Sequence, residues 1–302
     1  MKFGFVSLIG RPNAGKSTLV NRLVGSKLAI VSDKPQTTRT RILGVKNYPD
    51  AQVVYLDTPG IHRPLHRMNV RMVDTAVDTI HEVDVLALVV DASEPPGKGD
   101  QFMIDLIKKS SAPVFLILNK IDLLRKSKLL PIMDRYQKVA DFAEIIPVSA
   151  LSGDNLDRLE RTIIDRLPEG EPRYPPEYLT DQPERFFASE IIREKLLQFT
   201  HTEIPFSSAV LVERFEEPPD GADRKSGILN LYCSIIVERE SQKPIVIGKG
   251  GEMIKRIGSA AREELERFFG TRVFLDLHVR VKAEWRDNDR MVGEFGIGPH
   301  DS

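Results

Sequence analysis

The sequence predicts two domains: an α/β domain on a mostly parallel sheet with helices on both faces, then a smaller α+β domain. Three observations carry this. Short apolar runs alternate with amphipathic stretches as far as Leu167. A proline-rich segment then interrupts the pattern. Beyond it the order changes to helix, two strands, helix and strand. The 302 residues suit two domains at roughly 100–200 residues each.

In the first half, Phe3–Ile9, Gln52–Leu56, Val83–Val90, Pro113–Leu118 and Glu144–Val148 read as strands buried on both faces. Arg41–Tyr48 adds an antiparallel edge strand. Helices are predicted over Thr18–Leu23, Asn69–Ile80, Asp100–Lys109, Leu129–Phe142 and Asn155–Leu167. This places a domain at 1–167. Pro172, Pro175 and Pro176 exclude a helix or central strand, so 168–183 reads as a linker. A second domain follows at 184–286. Glu184–Gln198 carries a helical stripe, and Ser208–Phe215 is strand-like. Leu229, Leu231, Cys233, Ile235 and Val237 alternate as an inward strand face. Glu252–Phe269 is amphipathic, and Val273–Val281 alternates again. Trp285 reads as a packing residue, and 287–302 as a C-terminal tail.

Net charge is −1, which excludes a broad basic coat. Residues 1–170 hold 24 Lys+Arg against 20 Asp+Glu, and the remainder 19 against 24. Yet Lys243, Lys249, Lys255 and Arg256 face only Glu252 between 243 and 258, a local cationic site in the acidic half. The lone Cys233 cannot form an internal disulfide, which fits a reducing compartment. No apolar stretch approaches the ~20 residues of a membrane span, and no leader is apparent, so a cytoplasmic location is expected.

Gly10-Arg11-Pro12-Asn13-Ala14-Gly15-Lys16-Ser17 matches G-x-x-x-x-G-K-[ST] between a predicted strand and a helix opening at Thr18. Such a loop wraps phosphate oxygens with backbone N–H groups at a helix N-terminus. Lys16 is expected at the β- and γ-phosphates and Ser17 on Mg²⁺. Asp57-Thr58-Pro59-Gly60-Ile61 ends a strand: Asp57 can hold Mg²⁺, directly or through water, and the Gly60 N–H can meet the γ-phosphate. Asn119-Lys120-Ile121-Asp122 ends another. Asp122 can accept from guanine N1–H and the 2-amino group, a donor pair adenine lacks. Val148-Ser149-Ala150 ends the next strand, and its backbone is expected to meet guanine O6. Strand C-termini are where open α/β sheets bind ligands.

These four motifs, in order, resemble the translation-factor-related P-loop GTPases, and Gln36-Thr37-Thr38-Arg39 resembles switch I of the Era family. That resemblance implies GTP hydrolysis to GDP and favours Thr38 over Thr37 as the contact to Mg²⁺ and the γ-phosphate. Lys16, Thr38, Gly60 and Asn13 are then the catalytic candidates. Ile61 stands where Ras-like GTPases carry the glutamine that orients water, and its side chain has no hydrogen-bonding atom, so intrinsic turnover is expected to be slow. In similar GTPases an Asn at the place of Asn13 helps bind K⁺ beside the phosphates. A loop-shaping Asn explains the residue equally well. His62 and Arg63 read as solvent-exposed switch II loop rather than as catalytic groups.

Ile247-Gly248-Lys249-Gly250-Gly251 forms a G-x-x-G loop before a helix, with Ile254, Lys255 and Arg256 on that helix. Such a loop lets a nucleic-acid backbone approach closely, and equally serves as a helix-start turn. In this element order it resembles a type II KH domain. The joint architecture resembles the Era family over nearly the whole chain. It implies binding to the 3′ end of small-subunit (16S) rRNA, help in 30S assembly and loose association with the inner membrane. The sequence shows no obvious dimer element, so a monomer is expected. Two other readings remain: a signalling GTPase whose C-terminal domain binds protein or membrane, and a nucleotide hydrolase with no partner.

Overall fold

The computed structural model describes all residues except 35, 62–64, 96, 202, 219–226 and 299–302. The chain forms two compact units: residues 1–65, 69–181 and 298–302, and residues 66–68 and 182–297.

The first unit contains β1 (Lys2–Ile9), α1 (Lys16–Val24), β2 (Ile42–Asn47), β3 (Ala51–Asp57), most of α2 (Arg67–Asp78), β4 (Val85–Asp91), α3 (Lys98–Ile107), β5 (Val114–Asn119), α4 (Leu129–Gln137), β6 (Glu144–Pro147) and α5 (Leu156–Arg166). Its sheet runs β2-β3-β1-β4-β5-β6. Only β2 is antiparallel to its neighbour. The strands are mostly apolar because both sheet faces are covered; every residue of β3 is buried. Helix α4 stops at Gln137, short of the expected Phe142. By Ala143 the chain has already turned back to the sheet, where Ala143 N–H donates to Val114 O at 2.8 Å.

The segment 168–183, expected as a linker, is mostly not one: residues 168–181 are laid along the edge of this sheet. Phe3 N–H donates to Pro168 O at 3.1 Å, and Val45 N–H on β2 donates to Leu179 O at 2.8 Å. Gln52, fully buried, donates to Tyr174 O at 2.8 Å and accepts from Arg173 N–H and Tyr174 N–H at 2.9 and 3.0 Å. The Tyr174 and Tyr178 rings stack at 4.9 Å and pack against the cluster of Phe3, Leu43, Val45, Val54 and Leu56. Prolines forbid a helix here, but the carbonyls still accept from an edge strand, and edge strands need cover.

The second unit contains α6 (Glu184–Phe199), α7 (Ile204–Ser207), β7 (Ala209–Glu216), β8 (Ile228–Val237), α8 (Lys243–Ile247), α9 (Glu252–Phe269), β9 (Arg272–Val281) and α10 (Asp289–Glu294). Its sheet is β7-β8-β9, with β7 antiparallel and β9 parallel to β8. The inward face of β8 packs against Ile191, Ile192 and Leu196 of α6 and Ile257, Ala261 and Leu265 of α9. Cys233 lies in this core, and burial pushes its thiol up to about 12. The expected tail from 287 is ordered chain as far as it is described. Asn288 caps α10 by accepting from Arg290 N–H and Met291 N–H at 3.1 and 3.2 Å. Buried Trp285 donates from Nε1 to Ser207 O at 3.0 Å and meets the Phe295 ring edge-on.

Candidate functional site

The C-terminal ends of β1, β3 and β5 converge on a cavity of about 440 Å³ that includes Lys16, Ser17, Thr38, Gly60, Asn119, Asp122 and Ala150 in its lining. The chain leaves β1 at Ile9 and enters α1 through Gly15, whose φ of +93° is a left-handed conformation. A Cβ there would sit 2.2 Å from Asn119 Nδ2, so only glycine fits. Lys16 is buried, and its Nζ donates to Gly10 O at 3.2 Å and Arg11 O at 3.1 Å. Burial pulls its pKa down to about 8, against the opposing field of Asp57.

Asp57, at the end of β3, is fully buried. Its Oδ2 accepts from Ser17 Oγ at 2.8 Å and Thr38 Oγ1 at 3.0 Å, and those two hydroxyls lie 2.8 Å apart. Its Oδ1 is buried with no hydrogen-bond partner among the described residues. Desolvation raises the Asp57 carboxyl pKa, opposed by Lys16 and the two hydroxyls. A carboxylate with an orphaned oxygen beside two hydroxyls is an all-oxygen donor set that fits a small hard cation such as Mg²⁺. Thr37 turns away, donating from Oγ1 to Lys34 O at 2.7 Å. Asn13 donates from Nδ2 to Asp33 O at 2.7 Å, tying the phosphate loop to the segment that carries Thr38.

The residues after Asp57 are held from below. Thr58 Oγ1 donates to Leu8 O at 2.7 Å, and Ile61 N–H donates to Gly10 O at 3.2 Å. The Ile61 side chain is a core residue, packed with Ile9 and Leu86. His62 and Arg63 lie outside the described residues.

At the opposite end, Asn119 joins three loops: Nδ2 donates to Ala14 O, and Oδ1 accepts from Ala150 N–H, both at 2.9 Å. Asp122 accepts from Ser149 Oγ at 2.6 Å, which orients the carboxylate. This contact is made by the Ser149 side chain, whereas the sequence pointed to its backbone. Lys120 Nζ pairs with Asp91 at 2.6 Å. Asp91, at the end of β4, belongs to no motif, and only its place at a strand C-terminus signals it.

The glycine loop of the second unit joins α8 to α9. Gly248 has φ +75° and ψ 171°, and a Cβ there would lie 2.7 Å from Met253 N. Gly250 and Gly251 also have positive φ, but a Cβ on either would meet nothing within 4 Å. Lys249, Gly250 and Lys255 are exposed. Arg256 is exposed too, with its guanidinium 4.2 Å from the centroid of the Phe199 ring. Ile247 and Ile254 are partly buried and pack against the core cluster.

Residues 5–120 match the family model described as 50S ribosome-binding GTPase, and residues 222–286 the model described as KH domain. The chain is 51% identical to GTPase Era of Geotalea uraniireducens over 293 residues, covering 97% of each. The chain belongs to the Era family of GTPases. GTPase Era of Geobacter metallireducens is 49% identical over the same coverage. A crystal structure of Era with MgGDPNP and nucleotides 1506–1542 of 16S ribosomal RNA matches with a TM-score of 0.94 and 43% identity, covering 99% of this chain and 100% of that one. An Aquifex aeolicus Era variant bound to GDP and AlF₄⁻ matches at 0.93 and 42%, again covering 99% and 100%. This Era-family chain therefore pairs a mostly parallel P-loop GTPase domain with a C-terminal KH domain.

Proposed function

We propose that this chain is a GTP-driven switch that binds the 3′ end of 16S rRNA through its KH domain and assists maturation of the 30S subunit. The observation that carries the switch is the meeting of the Ser17 and Thr38 hydroxyls at Asp57 Oδ2, with Oδ1 of the same carboxylate left for a ligand. These three residues would hold Mg²⁺, which when bound neutralises phosphate charge. Lys16 exchanges its two loop carbonyls for phosphate oxygens. Asp122, oriented by Ser149, reads guanine, and Asn119 holds the surrounding loops in register. Thr38 reaches the metal site only when switch I is closed, so loss of the γ-phosphate removes a reason for that closure.

With Ile61 in the core, alignment of the attacking water falls to the backbone around Gly60 and to Thr38, and slow intrinsic turnover follows. The Asn13 amide nitrogen is engaged by Asp33, which leaves its oxygen as the atom to ligate K⁺ beside the phosphates. The exposed Lys249 and Lys255 flank a loop whose glycines admit a nucleic-acid backbone. Among the described residues no helix is long and apolar enough to cross a membrane. The family resemblance supports a peripheral association with the inner membrane.

The test measures anisotropy of a labelled RNA carrying the 16S 3′ end with GDPNP or GDP bound. Tighter binding with GDPNP, lost in Gly248→Asp, is expected. Equal affinity in both states refutes the switch, and full binding by Gly248→Asp refutes the loop as the RNA site.

A further inference from the structure

We propose that the Arg11 side chain is a positioning element for the phosphate loop, anchoring it to the N-terminus of α3 through Asp100. The proposal rests on reading this site as a nucleotide site and adds a residue that acts on it from outside. Arg11 NH1 donates to Asp100 Oδ2 at 3.0 Å. Asp100 is 6% exposed and caps the first turn of α3, its Oδ2 also accepting from Gly97 N–H at 2.7 Å. The guanidinium lies so close to the helix start that a Cβ on Gly99 would be 3.1 Å from Arg11 Cδ and Nε. A nearly buried carboxylate without its guanidinium is costly, so the pair resists separation.

The main chain of the same residue faces the phosphates. Arg11 O accepts from Lys16 Nζ at 3.1 Å and from Ala14 N–H at 3.4 Å. The side chain of Arg11 thus anchors the residue whose carbonyl holds the phosphate-binding lysine. No hydrogen bond of Arg11 is needed on the ligand itself. Freed from Asp100, residues 10–14 would sample conformations in which Lys16 and the loop N–H groups no longer converge, and bound nucleotide would leave faster.

The experiment follows release of a fluorescent GDP analogue from the full chain for wild type, Arg11→Ala, Arg11→Lys, Asp100→Ala and the double Ala variant, with Tm recorded for each. Arg11→Ala and Asp100→Ala are each expected to speed release about tenfold, the effect of roughly one charge-assisted hydrogen bond. The double variant is expected to release no faster than either single one, and Arg11→Lys to fall between wild type and Arg11→Ala. Because Asp100→Ala also removes the cap on Gly97, Asp100→Asn is added; it keeps an acceptor, loses the charge, and should speed release severalfold with little change in Tm. A purely structural pair would lower Tm and leave release unchanged, which overturns the proposal. Multiplying effects in the double variant also overturn it, since the two residues would then act separately. Failure of the wild type to bind the analogue removes the nucleotide reading itself, a result distinct from normal binding with unaltered variants.

Discussion

The nucleotide cavity and the glycine loop of the KH domain both present backbone to a phosphate-bearing ligand, yet they are built in opposite ways. In the cavity the phosphate and metal end is buried: Lys16, Thr38, Asp57, Asn119 and Ser149 are all 6% exposed or less, while Asn13 and the guanine reader Asp122 are exposed. Each is held by other protein atoms, as Asn119 is by Ala14 and Ala150. In the loop, Lys249 and Lys255 are exposed, and only Gly248 is sterically required. Burial preorganises charge where chemistry must occur, because fixed dipoles in a dry site need no reorganisation. An open loop suits a ligand that must dock and leave. Substitutions in the cavity should therefore disturb activity and local structure together, and substitutions in the loop should disturb binding alone.

The largest expected effect tests the buried side of this contrast. Asp57→Ala removes the shared acceptor of Ser17 and Thr38, and GTP hydrolysis should fall on the order of a hundredfold or more in a phosphate-release assay. Retention of near-normal turnover would show that the triad is not the metal site. Next, Gly248→Asp places a side chain in a backbone conformation nearly exclusive to glycine, costing about 1–3 kcal/mol, and adds a negative charge. RNA affinity should fall at least tenfold while GDP affinity stays constant; a parallel loss of GDP binding would break the contrast. Gly250→Ala sharpens it, since open space surrounds that position and the cost is only the ~1–2 kcal/mol of a left-handed residue. Its effect on RNA affinity should be distinctly smaller.

A fourth substitution probes the sheet edge. Gln52→Leu strands the Arg173 and Tyr174 groups that the amide pairs, destabilising the first unit by about 1–3 kcal/mol and exposing residues 168–181 to limited proteolysis. An unchanged cleavage pattern would mean the tyrosine stack alone holds the strap. The smallest effect concerns Cys233. With its thiol raised to about 12, it should not react with a thiol reagent at pH 8 until the second unit unfolds. The unfolded thiol ionises near pH ~8.5 and the folded one does not, so this group makes stability decline as pH rises from there toward 12. Ready labelling of the native chain would contradict the packed core.

Contiguous motifs were legible without coordinates because their chemistry is local. A phosphate loop needs glycines at fixed offsets between a strand and a helix, and Gly15 shows the steric reason. Asn119 and Asp122 lie within one strand-end turn, so their spacing also reads directly. The strand patterns placed most of both sheets, since burial on one face or two imposes period on the sequence. Residues whose partners are remote carried no such signal. Gln52 looks like one polar residue in an apolar strand, and its partners lie about 120 positions away. Prolines between 172 and 176 ruled out regular structure but said nothing about which surface the chain would lie on. Arg11 and Asp100 are 89 residues apart and become a pair only when α3 packs beside the phosphate loop.

From composition and spacing alone came the α/β and α+β classes, the phosphate loop, the guanine-reading motif and the glycine loop, because each is written in neighbouring residues whose roles follow from their own stereochemistry. The tertiary structure alone decided that Ile61 is a core residue, that Ile247 and Ile254 pack against the core of the second unit, and that the expected linker lies on an edge strand. Those outcomes depend on which surfaces meet across long sequence separations. Burial and hydrogen-bond satisfaction select them over the whole chain, and no single segment records the choice.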